Sequence, residues 1–201
     1  MSLYVKIKKE YSDKRLQGGS AMTANECIRG RRSIRKFKDT KVDHELLAEI
    51  VETASYAPSW KHTQIVRYIA VEGELKDKIG RDCTSTFPNN GLIIQNAPLL
   101  IAVTAIKNRC GYERDGSFTT PRKDTWQMFD AGVASEAFCL AAYEKGLGTV
   151  IMGIFDGDAI SSLLQIPDDR ELIALIPTGY ADEAPAAPRR KAVEELLSFQ
   201  E

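Results

Sequence analysis

The stretch Pro98-Leu99-Leu100-Ile101-Ala102-Val103-Thr104-Ala105-Ile106 constrains this chain more than any other. It is continuously apolar apart from Thr104 and rich in β-branched residues, the composition of a central strand covered on both faces rather than a half-exposed one. It is too short to cross a membrane as a helix. A strand of this kind requires a sheet with helices on each side, and the flanking sequence supplies them. Leu46, Leu47, Ile50, Val51 and Ala54 recur at helical spacing after Asp43, a side chain suited to capping a helix N-terminus. Ile65–Val71 and Glu171–Ile176 read as further strands, with Pro177-Thr178-Gly179-Tyr180 at the end of the second.

The remaining elements follow in order. Thr23-Ala24-Asn25-Glu26 has the Thr-x-x-Glu pattern of a capping box, and Gly30 suits the end of the short helix it would open. The second helix ends before Pro58, and Gly73 to about Thr84 predicts another, broken by Phe87-Pro88-Asn89-Asn90-Gly91. Asp124–Lys145 predicts the longest helix, stopped by Gly146. Its many small residues, five alanines with Gly132 and Ser135, suit either deep burial or a subunit contact. Thr149–Met152 reads as a strand and Gly153 ends it; Asp158 begins a short helix closed by Pro167, and Ala181–Pro188 is extended. The polar stretch Lys107–Lys123 is a long loop, either a binding loop or a surface excursion. Residues 1–22, with a strand-like Tyr4–Lys8 and a Gly18-Gly19-Ser20 linker, read as an extension, disordered or an arm. The domain proper is then 23–201. The whole is α+β, and no G-x-G-x-x-G follows the first strand, which disfavours a Rossmann domain.

Chemistry concentrates in Arg31-Arg32-Ser33-Ile34-Arg35-Lys36-Phe37. Forked guanidinium donors beside a hydroxyl are suited to a phosphate monoester; a solvated basic face or a nucleic-acid patch is the alternative. A formal net charge of −1 over 201 residues gives no global attraction to nucleic acid or an anionic membrane, so a local anion is the better partner. Cys27, Cys83, Cys110 and Cys139 are widely spaced, and with only His44 and His62 beside them no metal site is expected. No leader peptide is visible, and reduced thiols in a cytoplasm are the expectation.

Taken with Ala57-Pro58-Ser59-Trp60-Lys61-His62-Thr63-Gln64, Asp130-x-Gly132 and Gly146-Leu147-Gly148, the basic run resembles the FMN-dependent nitroreductase family. The resemblance spans about residues 24–197. It implies the nitroreductase fold, a mixed β-sheet flanked by helices in an intertwined homodimer, with FMN at each subunit interface. It further implies that Arg31 and Ser33 hold phosphate and ribityl oxygens, that Arg32 supports them, and that Arg35 lies toward the flavin N1/O2 edge. Arg190 and Lys191 would close on the phosphate. Pro58, Ser59, His62 and Gln64 would reach the FMN of the partner subunit, and Met152, Gly153 and Ile154 would run past N5. Asp130 and Gly132 are expected to be scaffold. The chain departs from the family in carrying His62 where Asn is usual, and Ile65-Val66 where Pro-Trp is usual. An imidazole replaces one amide hydrogen bond but not both, so His62 is either a ring-edge group or a structural contact.

The implied activity is ping-pong hydride transfer from NADH or NADPH, through FMN, to a nitroaromatic, a quinone or a related small-molecule acceptor. No side chain is then needed as nucleophile or general base. Relatives with the same fold that dehalogenate or oxidise particular small molecules, and a flavin-storing protein without turnover, are the other readings. Tyr112 and Phe118, in the Lys107–Lys123 loop, are candidates for shaping the substrate side.

Overall fold

The computed structural model describes residues 22–200. The extension expected over residues 1–22, with its Tyr4–Lys8 and Gly18–Ser20 features, lies outside the described residues except for Met22. The described residues fall into two compact units divided between Gly30 and Arg31. The first contains helix α1, Ala24–Gly30. Its capping box forms as the sequence predicts: Glu26 N–H donates to Thr23 Oγ1 at 3.2 Å, and Thr23 N–H donates to Glu26 Oε2 at 2.7 Å.

The second unit is built on a sheet of β1 (Val66–Val71), β2 (Leu99–Ile106), β3 (Leu147–Thr149) and β4 (Arg170–Tyr180), in the order β1-β2-β4-β3. Strand β2 is buried along its length up to Ile106. Its alternation divides the core in two. Leu100 and Ala102 join Ile79, Ile94, Ile160 and Leu175 on one face, while Leu99, Ile101 and Val103 join Leu47, Ile50, Phe138 and Ile176 on the other. Each large aliphatic side chain so buried contributes about 1.5–3 kcal/mol, which is why this one strand organises the fold.

Helices α2 (His44–Ala54) and α5 (Thr125–Glu144) cover the second of these faces. Helices α3 (Gly73–Asp82), α4 (Pro88–Asn96) and α6 (Gly157–Leu163) cover the first. A four-residue helix α7, Val193–Leu196, follows the extended segment near the C-terminus. Asp43 caps α2 as expected, its carboxylate accepting from Glu45 N–H at 2.8 Å. Among the described residues no helix is long and apolar enough to cross a membrane.

Three local outcomes differ from the sequence reading. The ladders of the sheet are all antiparallel, and parallel pairing in the described residues is confined to a bridge between Ser33 and Thr149. The expected break at Phe87–Gly91 instead opens α4, because Pro88 occupies the first helical turn, where its missing N–H costs nothing. The strand expected over Thr149–Met152 is β3 at Leu147–Thr149, with Met152 returning only as a bridge to Leu175. The cause is Pro177: it faces Val150 in register and accepts its N–H at 3.3 Å, but has no N–H to return.

The basic run is docked along this edge. Ile34 N–H donates to Thr149 O at 2.9 Å, Lys38 N–H to Tyr180 O at 2.9 Å, and Asp182 N–H to Lys36 O at 2.9 Å. Ile34 and Phe37 are buried while Arg35 and Lys36 are exposed, so two apolar anchors hold a cationic tip at the surface.

Candidate functional site

Arg31 lies with its Nε 3.4 Å from Glu136 Oε1 on α5, yet that Nε is buried and makes no hydrogen bond. A buried guanidinium donor left unmet is costly unless something accepts from it. Arg32 turns back on the chain, its Nη1 donating to Arg31 O at 2.8 Å. Arg35 is exposed, with Nη1 at 3.4 Å from Ser33 O.

Arg35 forms one wall of a groove of about 300 Å³. Met152, Gly153 and Ile154 form another, and Asn89 and Asn90 at the start of α4 complete it. Asn90 is buried and donates from Nδ2 to Ile154 O at 3.1 Å, which fixes the backbone of this wall. Met152 points into the core at 5% exposure, whereas Ile154 is 52% exposed. A Cβ built on Gly153 meets no atom within 4 Å, so the backbone there is open to close approach by a flat ligand. Past Arg35 the surface continues as a second groove of about 550 Å³ that includes Asn96, Asp182 and Glu183.

Pro58, Ser59 and Gln64 lie elsewhere, on a separate cavity of about 350 Å³ shared with Leu47, Tyr68 and Asp130. Between them Trp60–His62 forms a 3₁₀ turn. Lys61, His62 and Gln64 have φ of 43°, 56° and 47°, the left-handed region that such residues avoid. The turn is held from several sides. Asp130 accepts from Trp60 N–H at 2.9 Å, Ser59 Oγ accepts from Gln64 N–H at 3.1 Å, and Lys61 Nζ pairs with Glu113 Oε1 at 2.7 Å. Trp60 also packs on Trp126, with ring centroids 4.6 Å apart. His62 Nε2 lies 2.7 Å from Gln64 Nε2, an arrangement in which the neutral imidazole nitrogen accepts from the amide.

Asp130 has the scaffold role the sequence suggested, and it also accepts from Cys110 Sγ at 3.2 Å. Burial first, and then this carboxylate, push the Cys110 thiol up to about 12.

The structure therefore brings Arg35 together with Met152–Ile154, and keeps Pro58–Gln64 apart from them within one chain. Arg190 and Lys191 are exposed on the segment after β4, where Arg190 Nη1 donates to Pro188 O at 3.1 Å; neither lines the Arg35 groove. Sequence reading missed Asn89 and Asn90, hidden in what looked like a helix break, and Glu183, whose contacts lie far back in the chain.

The sequence model of the nitroreductase family matches residues 28–91 and 88–180. The chain belongs to the nitroreductase family. A relative from Methanothermobacter thermautotrophicus, provisionally named an NADH dehydrogenase/NAD(P)H nitroreductase, is 31% identical over 171 residues, covering 83% of this chain and 81% of its own. An iodotyrosine deiodinase from Thermotoga neapolitana is 28% identical over 191 residues, 84% of this chain and 95% of that one. Among solved structures, an FMN-dependent nitroreductase from Clostridium difficile R20291 superposes with a TM-score of 0.71 at 27% identity, covering 88% of this chain and 99% of that chain. These matches support a general oxidoreductase role and the nitroreductase fold.

Proposed function

We propose that the protein is an FMN-dependent NAD(P)H oxidoreductase that works as a homodimer. The FMN-binding domain is residues 23–201, with residues 1–22 as an extension. The observation that carries this reading is the groove in which the Arg35 side chain faces the open backbone of Gly153. The residues fit the cofactor. Arg31 offers a guanidinium whose Nε stands 3.4 Å from Glu136, Ser33 a neighbouring hydroxyl, and Gly153 a backbone with room for a planar ring.

Bound there, FMN supplies two-electron exchange between the nicotinamide donor and an acceptor such as a quinone or nitroaromatic. The chain supplies the rest. Arg31, Ser33 and Arg32 hold the phosphate end, and Arg190 and Lys191 close over it. Arg35 sets a fixed positive charge toward the ring edge, favouring negative charge that develops nearby. Phe87, Ile151 and Ile154 give the groove exposed apolar walls that exclude water once it is filled.

Pro58, Ser59, His62 and Gln64 complete the site of the other protomer. The separation of Pro58, Ser59 and Gln64 from the Arg35 groove supports this, because within one chain they line a different cavity. Buried Cys83, Cys110 and Cys139, outside any disulfide, support a reducing, cytoplasmic setting.

The test is direct. The purified protein should be yellow, release FMN on denaturation, sediment as a dimer, and oxidise NADH or NADPH in the presence of a quinone. Donor and acceptor sharing one site should give parallel double-reciprocal lines. A colourless protein that takes up no added FMN refutes the reading. The deiodinase relative favours a second reaction on the same fold: reductive dehalogenation, read as halide release from a halophenol with no quinone turnover.

A further inference from the structure

Two successive backbone N–H groups of the basic run, those of Arg35 and Lys36, donate to the same carboxylate oxygen, Glu183 Oε1, the Lys36 contact being 3.1 Å. The pairing of this edge explains why. Phe37 bridges Ala181, and Asp182 N–H returns to Lys36 O at 2.9 Å. One residue further the main-chain pairing stops, and the Glu183 side chain takes over, accepting the two donors that no strand is left to meet. A charged acceptor on two N–H groups is roughly twice as strong as a neutral one. Arg35 itself has little else to fix it: its guanidinium is exposed and, among the described residues, its hydrogen bond is to Ser33 O at 3.4 Å. Its direction into the groove is inherited from its backbone, and that backbone is held by Glu183.

We infer that Glu183 is a positioning residue for Arg35, setting where the guanidinium stands in the FMN groove and offsetting part of its charge. The inference rests on the FMN reading above. It makes two separable demands on the side chain, reach and charge. Glu183→Asp keeps the charge but is a methylene too short to meet both N–H groups. Glu183→Gln keeps the reach and an acceptor oxygen but removes the charge.

The experiment titrates apo-protein with FMN by fluorescence quenching for wild type and both variants. It then measures the midpoint potential of the bound FMN, with the thermal midpoint of each apo-protein as a check on folding. Glu183→Asp should weaken FMN binding about tenfold, the loss of one charge-assisted hydrogen bond's worth of order. Glu183→Gln should stay within about threefold of wild type in affinity, since its amide oxygen still accepts from both N–H groups. Its midpoint potential should rise, because a negative charge beside Arg35 is gone and the reduced, more anionic flavin is favoured. Aspartate binding FMN as wild type does, or glutamine leaving the potential unmoved, overturns the assignment alone. If the Asp variant does not fold, the potential of the Gln variant decides. Wild-type apo-protein that takes up no FMN overturns the functional reading and this assignment with it.

Discussion

The substitution Gly148→Ala joins fold and site in a single measurement. Gly148 sits in β3 directly opposite Gly179 in β4, so the two glycines leave a shallow place in one face of the sheet. The basic run lies across it. A Cβ at Gly148 would stand 2.6 Å from Ile34 Cγ1, 2.8 Å from its Cβ and 3.0 Å from its Cγ2. Ordinary carbon contacts are about 3.5–4.0 Å, so Ile34 would have to retreat by roughly 1 Å.

It has no easy way to do so. The clash includes its Cβ rather than a flexible tip alone, its N–H is bonded to Thr149 O at 2.9 Å, and its side chain is 6% exposed in the core. Overpacking of this kind costs about 1–3 kcal/mol, and the upper half of that range is expected here. Ile34 stands between Ser33 and Arg35, so the displacement passes to both, and FMN affinity should fall by about tenfold or more.

Gly153→Ala is the control, since its Cβ meets nothing within 4 Å and projects into open space. It should leave stability within about 0.5 kcal/mol while still weakening FMN. Urea unfolding of the apo-proteins and fluorescence titration with FMN measure both quantities. A Gly148→Ala protein with wild-type midpoint and wild-type affinity would refute the idea that this packing holds the basic run in place.

Arg31→Ala should lower FMN affinity by one to two decades, the worth of a charge-assisted contact of roughly 1.5–3 kcal/mol. The variant should purify pale and recover rate when FMN is added; a fully loaded variant would remove Arg31 from the phosphate site. His62→Ala ends the 2.7 Å contact with Gln64 and should shift both the potential of bound FMN and the pH dependence of the rate, with a smaller effect on retention. If neither moves, His62 is a structural contact only. Alkaline pH should destabilise the fold through Cys110, whose ordinary value of 9.0 is raised to about 12 by burial first and by Asp130 second. The thiol ionises in the unfolded chain before it does in the folded one, so its contribution is complete below pH 9 and is lost progressively as pH rises toward 12. Urea midpoints at pH 8 and pH 10 check this, and Cys110→Ala should flatten the difference.

What the sequence made legible was local or strongly periodic. Strand β2 announced itself because both its faces are buried, leaving almost no polar residue to blur it. Thr23 and Asp43 announced helix starts because their partners lie two or three residues away. Helix α4 stayed hidden because Pro88 serves equally as a breaker and as a first-turn residue, and only packing against α3 decides between them. Gly91 marks that packing: a Cβ there would run into the Gly80 carbonyl of α3, and a residue chosen for close approach reads in sequence as a turn. Glu183 was invisible for another reason, since its partners Arg35 and Lys36 lie 148 and 147 residues back and neither propensity nor period reports on them.

The Pro58–Gln64 segment is the sharpest case. Its residue types suggested a site, but not the left-handed backbone at Lys61, His62 and Gln64, which costs roughly 1–2 kcal/mol at each non-glycine position. A chain seeking only its own stability would place glycine or asparagine there. Asp130, Ser59 and Glu113 instead hold the turn in this shape. Under the proposed homodimer, this turn, held in shape by several independent contacts and lining a cavity other than the Arg35 groove, is the segment that would reach the partner's site. The imidazole at position 62 adds a group whose hydrogen bonding changes with protonation, which an asparagine there would not have.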